Sequence, residues 1–130
     1  MQGIDALTVT IEVNCSQGIH FYMVGLADTA VRESHERIRS ALQHNGYKFP
    51  HRQLIINLAP ADLRKEGSAY DLPLAIGILA AAEEISADKL SRYMIMGELS
   101  LDGSILPIRG ALPIAIQALS LIHISEPTRL

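Results

Sequence analysis

Two apolar runs bracket the densest concentration of charged and helix-breaking residues in the chain, and this arrangement constrains the fold more than any other feature. Leu54-Ile-Ile-Asn-Leu58 reads as a buried strand, and residues 72–82 read as a buried helix. Between them lie Asp62, Arg64, Lys65, Glu66, Gly67, Ser68 and Asp71. A polar loop that hands a strand over to a helix N-terminus is a common seat of function. Asp71 is a good N-cap, and Pro73 in the first helical turn removes an N–H that would lack a partner there anyway. Capping accounts for those two residues but not for the charges at 62, 64, 65 and 66. Asp62, Arg64, Lys65, Glu66, Ser68 and Asp71 therefore form the candidate interaction loop, a contact surface for a subunit, a domain or DNA. The competing structural reading is a solvated loop held by local ion pairs, each worth at most about 1 kcal/mol.

The rest of the chain supplies the partners. Thr8-Val-Thr-Ile-Glu-Val-Asn14 alternates polar and apolar, as a half-buried strand does. A turn at Cys15-Ser-Gln-Gly18 and a second strand over 19–24 predict an antiparallel hairpin. Asp28 or Thr29 caps a helix running to about Asn45, with Val31, Ile38, Ala41 and Leu42 on one stripe. Its other face carries Arg32, Glu33, Glu36, Arg37 and Arg39, together with His35 and His44 on the solvated side. Asn45-Gly46 stops this helix. A third strand spans 52–59, and the apolar helix ends near Glu83-Glu84. Ser86 caps a short turn. A fourth strand covers 93–99, and Asp102-Gly103 turns the chain back into Ile105-Leu106. A last helix is expected from about Ala111, with Pro113 in its first turn. The order β-β-α-β-α-β-β-α is that of an α+β domain with helices packed on a mixed sheet.

Composition excludes several function classes. The chain has 130 residues, 48% hydrophobic and 19% charged, enough for one domain. A formal net charge of -3 provides no global field for nucleic acid. The cations available for a local patch are Arg32, Arg37, Arg39, Lys48, Arg52, Arg64 and Lys65, diluted by acidic neighbours at 33, 36, 62 and 66. Cys15 is the single cysteine, so it makes no internal disulfide and a reducing, cytoplasmic compartment is expected. Met1-Gln-Gly-Ile-Asp5 has neither a basic nor an apolar signal region, so no secretory signal is expected, and the longest apolar run contains Pro73 and is too short to span a bilayer. The five histidines, His20, His35, His44, His51 and His123, form no metal-ligand spacing, so no metal site is expected.

Met23-Val-Gly-Leu26, Asn57-Leu-Ala-Pro-Ala-Asp62, Lys65-Glu-Gly67, Tyr70-Asp-Leu-Pro-Leu-Ala75 and Gly97-Glu-Leu99 occur in the order found in one family. Together they make the chain resemble the N-terminal, Lon-protease-like (ChlI-type) domain of the ComM/YifB magnesium-chelatase-like AAA+ ATPases, from about Gly3 to Leu119. The resemblance implies a ribosomal protein S5 domain 2-like fold for residues 1–119, shared with the Lon protease catalytic domain. It also implies a cytoplasmic hexameric ATPase using ATP and Mg, linked in the ComM branch to branch migration during DNA uptake. The partners would be the protein's own AAA+ module, neighbouring subunits and DNA, with no membrane. In that context this domain assembles or couples and is not itself catalytic.

Two absences support that role. No Gly-x-x-x-x-Gly-Lys-[Ser/Thr] loop occurs in the 130 residues, so no cofactor is expected here and ATP hydrolysis would belong to another module. A Lon-type protease needs a serine within reach of a lysine on the helix after the last hairpin. Aligned on Gly67, the nucleophile position falls on Ala69, with Ser68 one residue away, and no lysine follows Lys89. A residual serine hydrolase built on Ser68 and Lys65 is the alternative. Residues 120–130 differ from the strand and ATPase module that the resemblance leads one to expect. They read as an atypical tail from a truncated or chimeric frame, and a strand segment is expected before Gly3. Such a truncation would leave sheet edges uncovered, an aggregation hazard.

Overall fold

The computed structural model describes residues 9–60, 67–90, 95–106 and 114–120. They form β1 (Val9–Ser16), β2 (Phe21–Val24), α1 (Asp28–His44), β3 (Gln53–Ala59), a 3-10 turn (Gly67–Tyr70), α2 (Asp71–Ala81), β4 (Glu98–Leu99), β5 (Ile105–Leu106) and β6 (Ile114–Ser120). The α+β class with a mixed sheet is as expected. The main sheet has the order β2-β3-β1-β6, and β4-β5 is a separate two-stranded hairpin.

Alternation decides which strands are central. In β1, Val9, Ile11, Val13 and Cys15 are fully buried and the residues between them half-buried. In β3, Leu54, Ile56 and Leu58 are buried in the same way. These faces match when the strands run antiparallel in the register Val13↔Ile56 and Ile11↔Leu58. The expected β1–β2 hairpin is therefore overturned. β3 lies between β1 and β2, and β2 runs parallel to β3, with Met23 opposite Ile56. The physical reason is the apolar face each strand offers. β3 has three fully buried side chains, whereas β2 leaves Tyr22 and Val24 about half exposed and takes the edge. The parallel pair is joined by α1, as a crossover requires. Gly25 closes β2 with φ +105, and a Cβ there would collide with the Leu58 carbonyl oxygen. Only glycine permits that approach.

The expected last helix is also overturned. Residues 114–120 form β6, parallel to β1 in the register Ile11↔Ile116. β3 occupies one edge of β1, and β6 satisfies the row of backbone donors and acceptors on the other, a tertiary gain that outweighs local helix preference. Ala111 and Pro113 lie outside the described residues. The fourth strand is shorter than expected, Glu98–Leu99, and residues 93 and 94 of the expected span lie outside the described residues. The turn at Asp102-Gly103 does return the chain into β5, with Ser100 N–H donating to the Ser104 carbonyl at 2.9 Å.

The helices differ in kind. α1 buries only Ser34, Ile38, Ala41 and Leu42. It ends where Gly46, at φ +87, lets Tyr47 N–H reach the Leu42 carbonyl at 2.9 Å. α2 buries nine of its eleven residues and lies against β1, β6 and α1. It ends in the same motif, with Glu84 N–H bonded to the Leu79 carbonyl at 2.8 Å, although the left-handed position is held by Glu83 at φ 65. Ser86 accepts from Asp88 N–H at 3.2 Å, as its turn-capping reading predicts. Among the described residues, no helix is long and apolar enough to cross a membrane.

Candidate functional site at the start of the second helix

Asp71 does not cap α2, contrary to the expectation from sequence. Tyr70 occupies the N-cap position with helical dihedrals and no side-chain cap bond, because the 3-10 turn runs directly into the helix. The first-turn N–H of Leu72 instead donates to the Gly97 carbonyl at 2.9 Å, and Gly97 N–H donates to the Ala69 carbonyl at 3.0 Å. This frees the Asp71 carboxylate for another task.

That carboxylate is fully buried and accepts four hydrogen bonds. Ser34 Oγ donates to Oδ1 at 2.9 Å. Arg37 donates through Nε to Oδ2 at 2.6 Å and through Nη2 to Oδ1 at 3.0 Å. Leu99 N–H donates to Oδ2 at 3.2 Å. The two-pronged guanidinium contact is the strong geometry for a carboxylate, and the positive end of α2 adds to it. The Arg37 side chain is 23% exposed and Asp71 is 0% exposed, so the pair is tied down from the inside. The bond to Asp71 raises the Arg37 pKa against the opposing effect of burial, with Asp71 and Glu98 adding electrostatically. α1, α2 and β4 thus meet at one carboxylate.

Ser68 sits one turn earlier. Its hydroxyl donates to Glu98 Oε1 at 2.7 Å. Asp62, Arg64, Lys65 and Glu66 lie outside the described residues, and with them the Ser68–Lys65 pair. Of the six candidate residues, Ser68 and Asp71 are therefore placed, and both are bonded to their own domain. Sequence reasoning missed Ser34, Arg37 and Glu98. Spacing puts Arg37 on the polar face of α1, and Ser34 interrupts the apolar stripe one turn before Ile38, a signal that a polar partner faces it. Next to this junction, the Tyr70 hydroxyl is buried without a partner among the described residues, and burial raises its pKa.

His35 is a second correction. It is not on the solvated side of α1 but stacks flat on Phe21, with ring centroids 4.1 Å apart and planes within 4°. His44 is exposed, as expected. Among the described residues, no cluster of three or more His, Cys, Asp or Glu side chains could hold a metal ion.

Among the described residues, the segments that carry the resemblance contact one another in pairs. Tyr70-Asp-Leu-Pro joins Gly97-Glu-Leu99 through Leu72 and Asp71, while the Met23–Leu26 segment packs on the end of β3 at Gly25. The family model described as "Subunit ChlI of Mg-chelatase" matches residues 11–124. The chain belongs to this ChlI family. Similar proteins include the uncharacterized protein YifB of Escherichia coli, 47% identical over 118 residues, 90% of this chain and 23% of the relative. The competence protein ComM of Haemophilus influenzae is 44% identical over 117 residues, 89% of this chain and 23% of ComM. The uncharacterized protein Mb2921c of Mycobacterium bovis is 39% identical over 119 residues, 91% of this chain and 24% of the relative. The chain thus spans about a quarter of the length of these curated relatives.

Proposed function

We propose that this chain is the N-terminal assembly and coupling domain of a ComM/YifB-type, magnesium-chelatase-like AAA+ ATPase that processes DNA in the cytoplasm. Residues 1–119 form the domain, with an S5 domain 2-like fold, and residues 120–130 are an atypical tail. ATP and Mg serve the motor module, which the longer relatives have room to carry. The branch-migration role implied for ComM is the whole protein's activity, performed by a hexamer on DNA.

One observation carries the non-catalytic reading. The buried acid of the signature segment is consumed within the domain: Asp71 accepts from Ser34, Arg37 and Leu99, and next to it the Ser68 hydroxyl is bonded to Glu98. A catalytic carboxylate or nucleophile needs a face open to substrate. A carboxylate enclosed by three elements instead makes their relative placement rigid, which is what a part that transmits force or holds a subunit boundary requires.

The test uses the full-length protein with its motor module. Removing the domain is expected to impair hexamer assembly and DNA-stimulated ATP hydrolysis while ATP binding persists. The competing hydrolase reading predicts that Ser68→Ala and Lys65→Ala each abolish a measurable peptidase or esterase activity. Detecting such an activity, and losing it in both variants, would sink the coupling proposal.

A further inference from the structure

The side of α1 remote from Asp71 carries chemistry that the junction does not use. Phe21, His35 and Phe49 form a continuous aromatic floor. Beyond the flat Phe21–His35 stack, His35 and Phe49 lie 5.0 Å apart and tilted by 46°. The Arg39 guanidinium carbon sits 4.7 Å above the centre of the Phe49 ring. Over this floor open two adjoining depressions of about 260 and 460 Å³. They share Arg39, Phe49 and His51, and the first is bounded by Arg52, the second by Tyr47 and Lys48. Among the described residues, no carboxylate lines either one. Glu33 and Glu36 border a neighbouring surface with Arg32, His35 and Arg37, so His35 lies between the acidic side and the first depression, and Glu36 acts on it electrostatically.

This separation of charge is local, because the chain as a whole is net negative. Arg39, Lys48 and Arg52 have no carboxylate partner among the described residues, where the ion pair present is Arg37–Asp71. Tyr47 and His51 are exposed at the rim, and Tyr47 retains 36% of its surface. Cations that track phosphates, interleaved with ring and guanidinium faces, are the combination that holds unpaired bases. Paired bases in a duplex cannot stack on protein rings.

We infer that the groove over Phe49, rimmed by Arg39, Tyr47, Lys48, His51 and Arg52, binds single-stranded nucleic acid. The inference deepens the reading above, on which it rests for the strand being DNA rather than RNA. Phosphates lie along the Arg39, Lys48 and Arg52 line, and bases stack on Tyr47 and His51. With three permanent cations engaged, binding is weak in isolation and strongly salt-dependent. It gains from the multiple copies of a hexamer.

The test is fluorescence anisotropy of a labelled oligothymidylate of about 12 nucleotides with the 130-residue chain, at rising salt. The logarithm of affinity is expected to fall with the logarithm of salt at a slope of about −2, the single-strand value for three phosphate contacts. Lys48→Glu combined with Arg52→Glu should weaken binding at least about tenfold, since it reverses two of the three contacts. Tyr47→Ala should weaken it about fivefold or more by removing a stacking face. Arg32→Glu, a reversal on the acidic side of α1, should leave it unchanged, and circular dichroism should show every variant folded. Absence of binding at low salt would overturn the inference, as would heparin binding equally well or Arg32→Glu weakening binding as much as the groove variants. Tighter binding of oligouridylate would support the single-strand surface and overturn DNA as its ligand. If binding fails while removal of the domain still impairs DNA-stimulated ATP hydrolysis in the full-length protein, this surface falls and the coupling reading stands.

Discussion

Arg37 and Arg39 stand two residues apart on one helix and have opposite fates. Arg37 points into the domain and grips a fully buried carboxylate in a fork. Arg39 lies on the Phe49 ring, with His35 Nε2 3.4 Å from its Nη2, and no carboxylate reaches it among the described residues. The first arginine is committed to holding elements together. The second keeps its charge uncompensated at a concave surface. A helix rotates by about 200° over two residues, so neighbours in sequence serve opposite sides of the fold. On α1 the helical repeat thus divides these two charges between a structural interior and an available exterior.

The largest expected effect breaks the structural side. Arg37→Met leaves the Asp71 carboxylate buried without its counter-charge and should cost about 3–5 kcal/mol in chemical denaturation. Asp71→Asn should cost less, about 2 kcal/mol, because Arg37 keeps a route to water that Asp71 lacks. The two should be strongly non-additive, with the double variant more stable than the sum of the single losses. If the losses simply add, the junction is not one interacting unit and the contrast with Arg39 disappears.

Effects on the periphery should be smaller. Ser68→Ala removes one hydroxyl donor to Glu98 and should cost about 1 kcal/mol. On the exterior side, Arg39→Met removes a partly exposed cation–ring contact and should cost about 0.5–1 kcal/mol in the same assay. An Arg39 variant as damaging as Arg37→Met would mean that both arginines are structural, which would count against the nucleic-acid groove.

Much of this fold is legible from periodicity. The period-2 faces of β1 and β3, the stripe of α1 and the nearly all-round apolarity of α2 follow directly from residue spacing. Strand neighbours do not. Phe21–Val24 looks like the return arm of a hairpin until Leu54, Ile56 and Leu58 compete for the same edge of β1, and spacing along one strand says nothing about that competition. Ile114–Ser120 reads as helix for the same reason, since its strand state comes from pairing with β1. The site was half legible. Asp71 and Ser68 stand out beside a helix start, but their partners Arg37 and Glu98 are 34 and 30 residues away and are fixed only by packing. The capping reading of Asp71 failed because a 3-10 turn supplies the helix entry, which leaves a short polar side chain free to turn inward.

The smallest effect concerns His35, and it sharpens the contrast in a different variable. Burial against Phe21 and Phe49 lowers its pKa from 6.5, and the Arg39 charge lowers it further, with Glu36 opposing. The unfolded chain therefore takes up a proton at a pH where the folded domain still resists it, and protons favour unfolding. The stabilising contribution is complete above about pH 6.5. It is lost as pH falls from there through the lowered folded value, below which it no longer changes. Denaturation midpoints measured from neutral pH downward should show this decline, and His35→Gln should flatten that segment of the profile. Arg39→Met should reduce the slope without abolishing it, because desolvation is the larger cause and the neighbouring charge the lesser. The Arg37–Asp71 junction should contribute none of the His35-dependent slope. A decline that survives in His35→Gln would place the titrating group elsewhere and detach His35 from the exterior side of the helix.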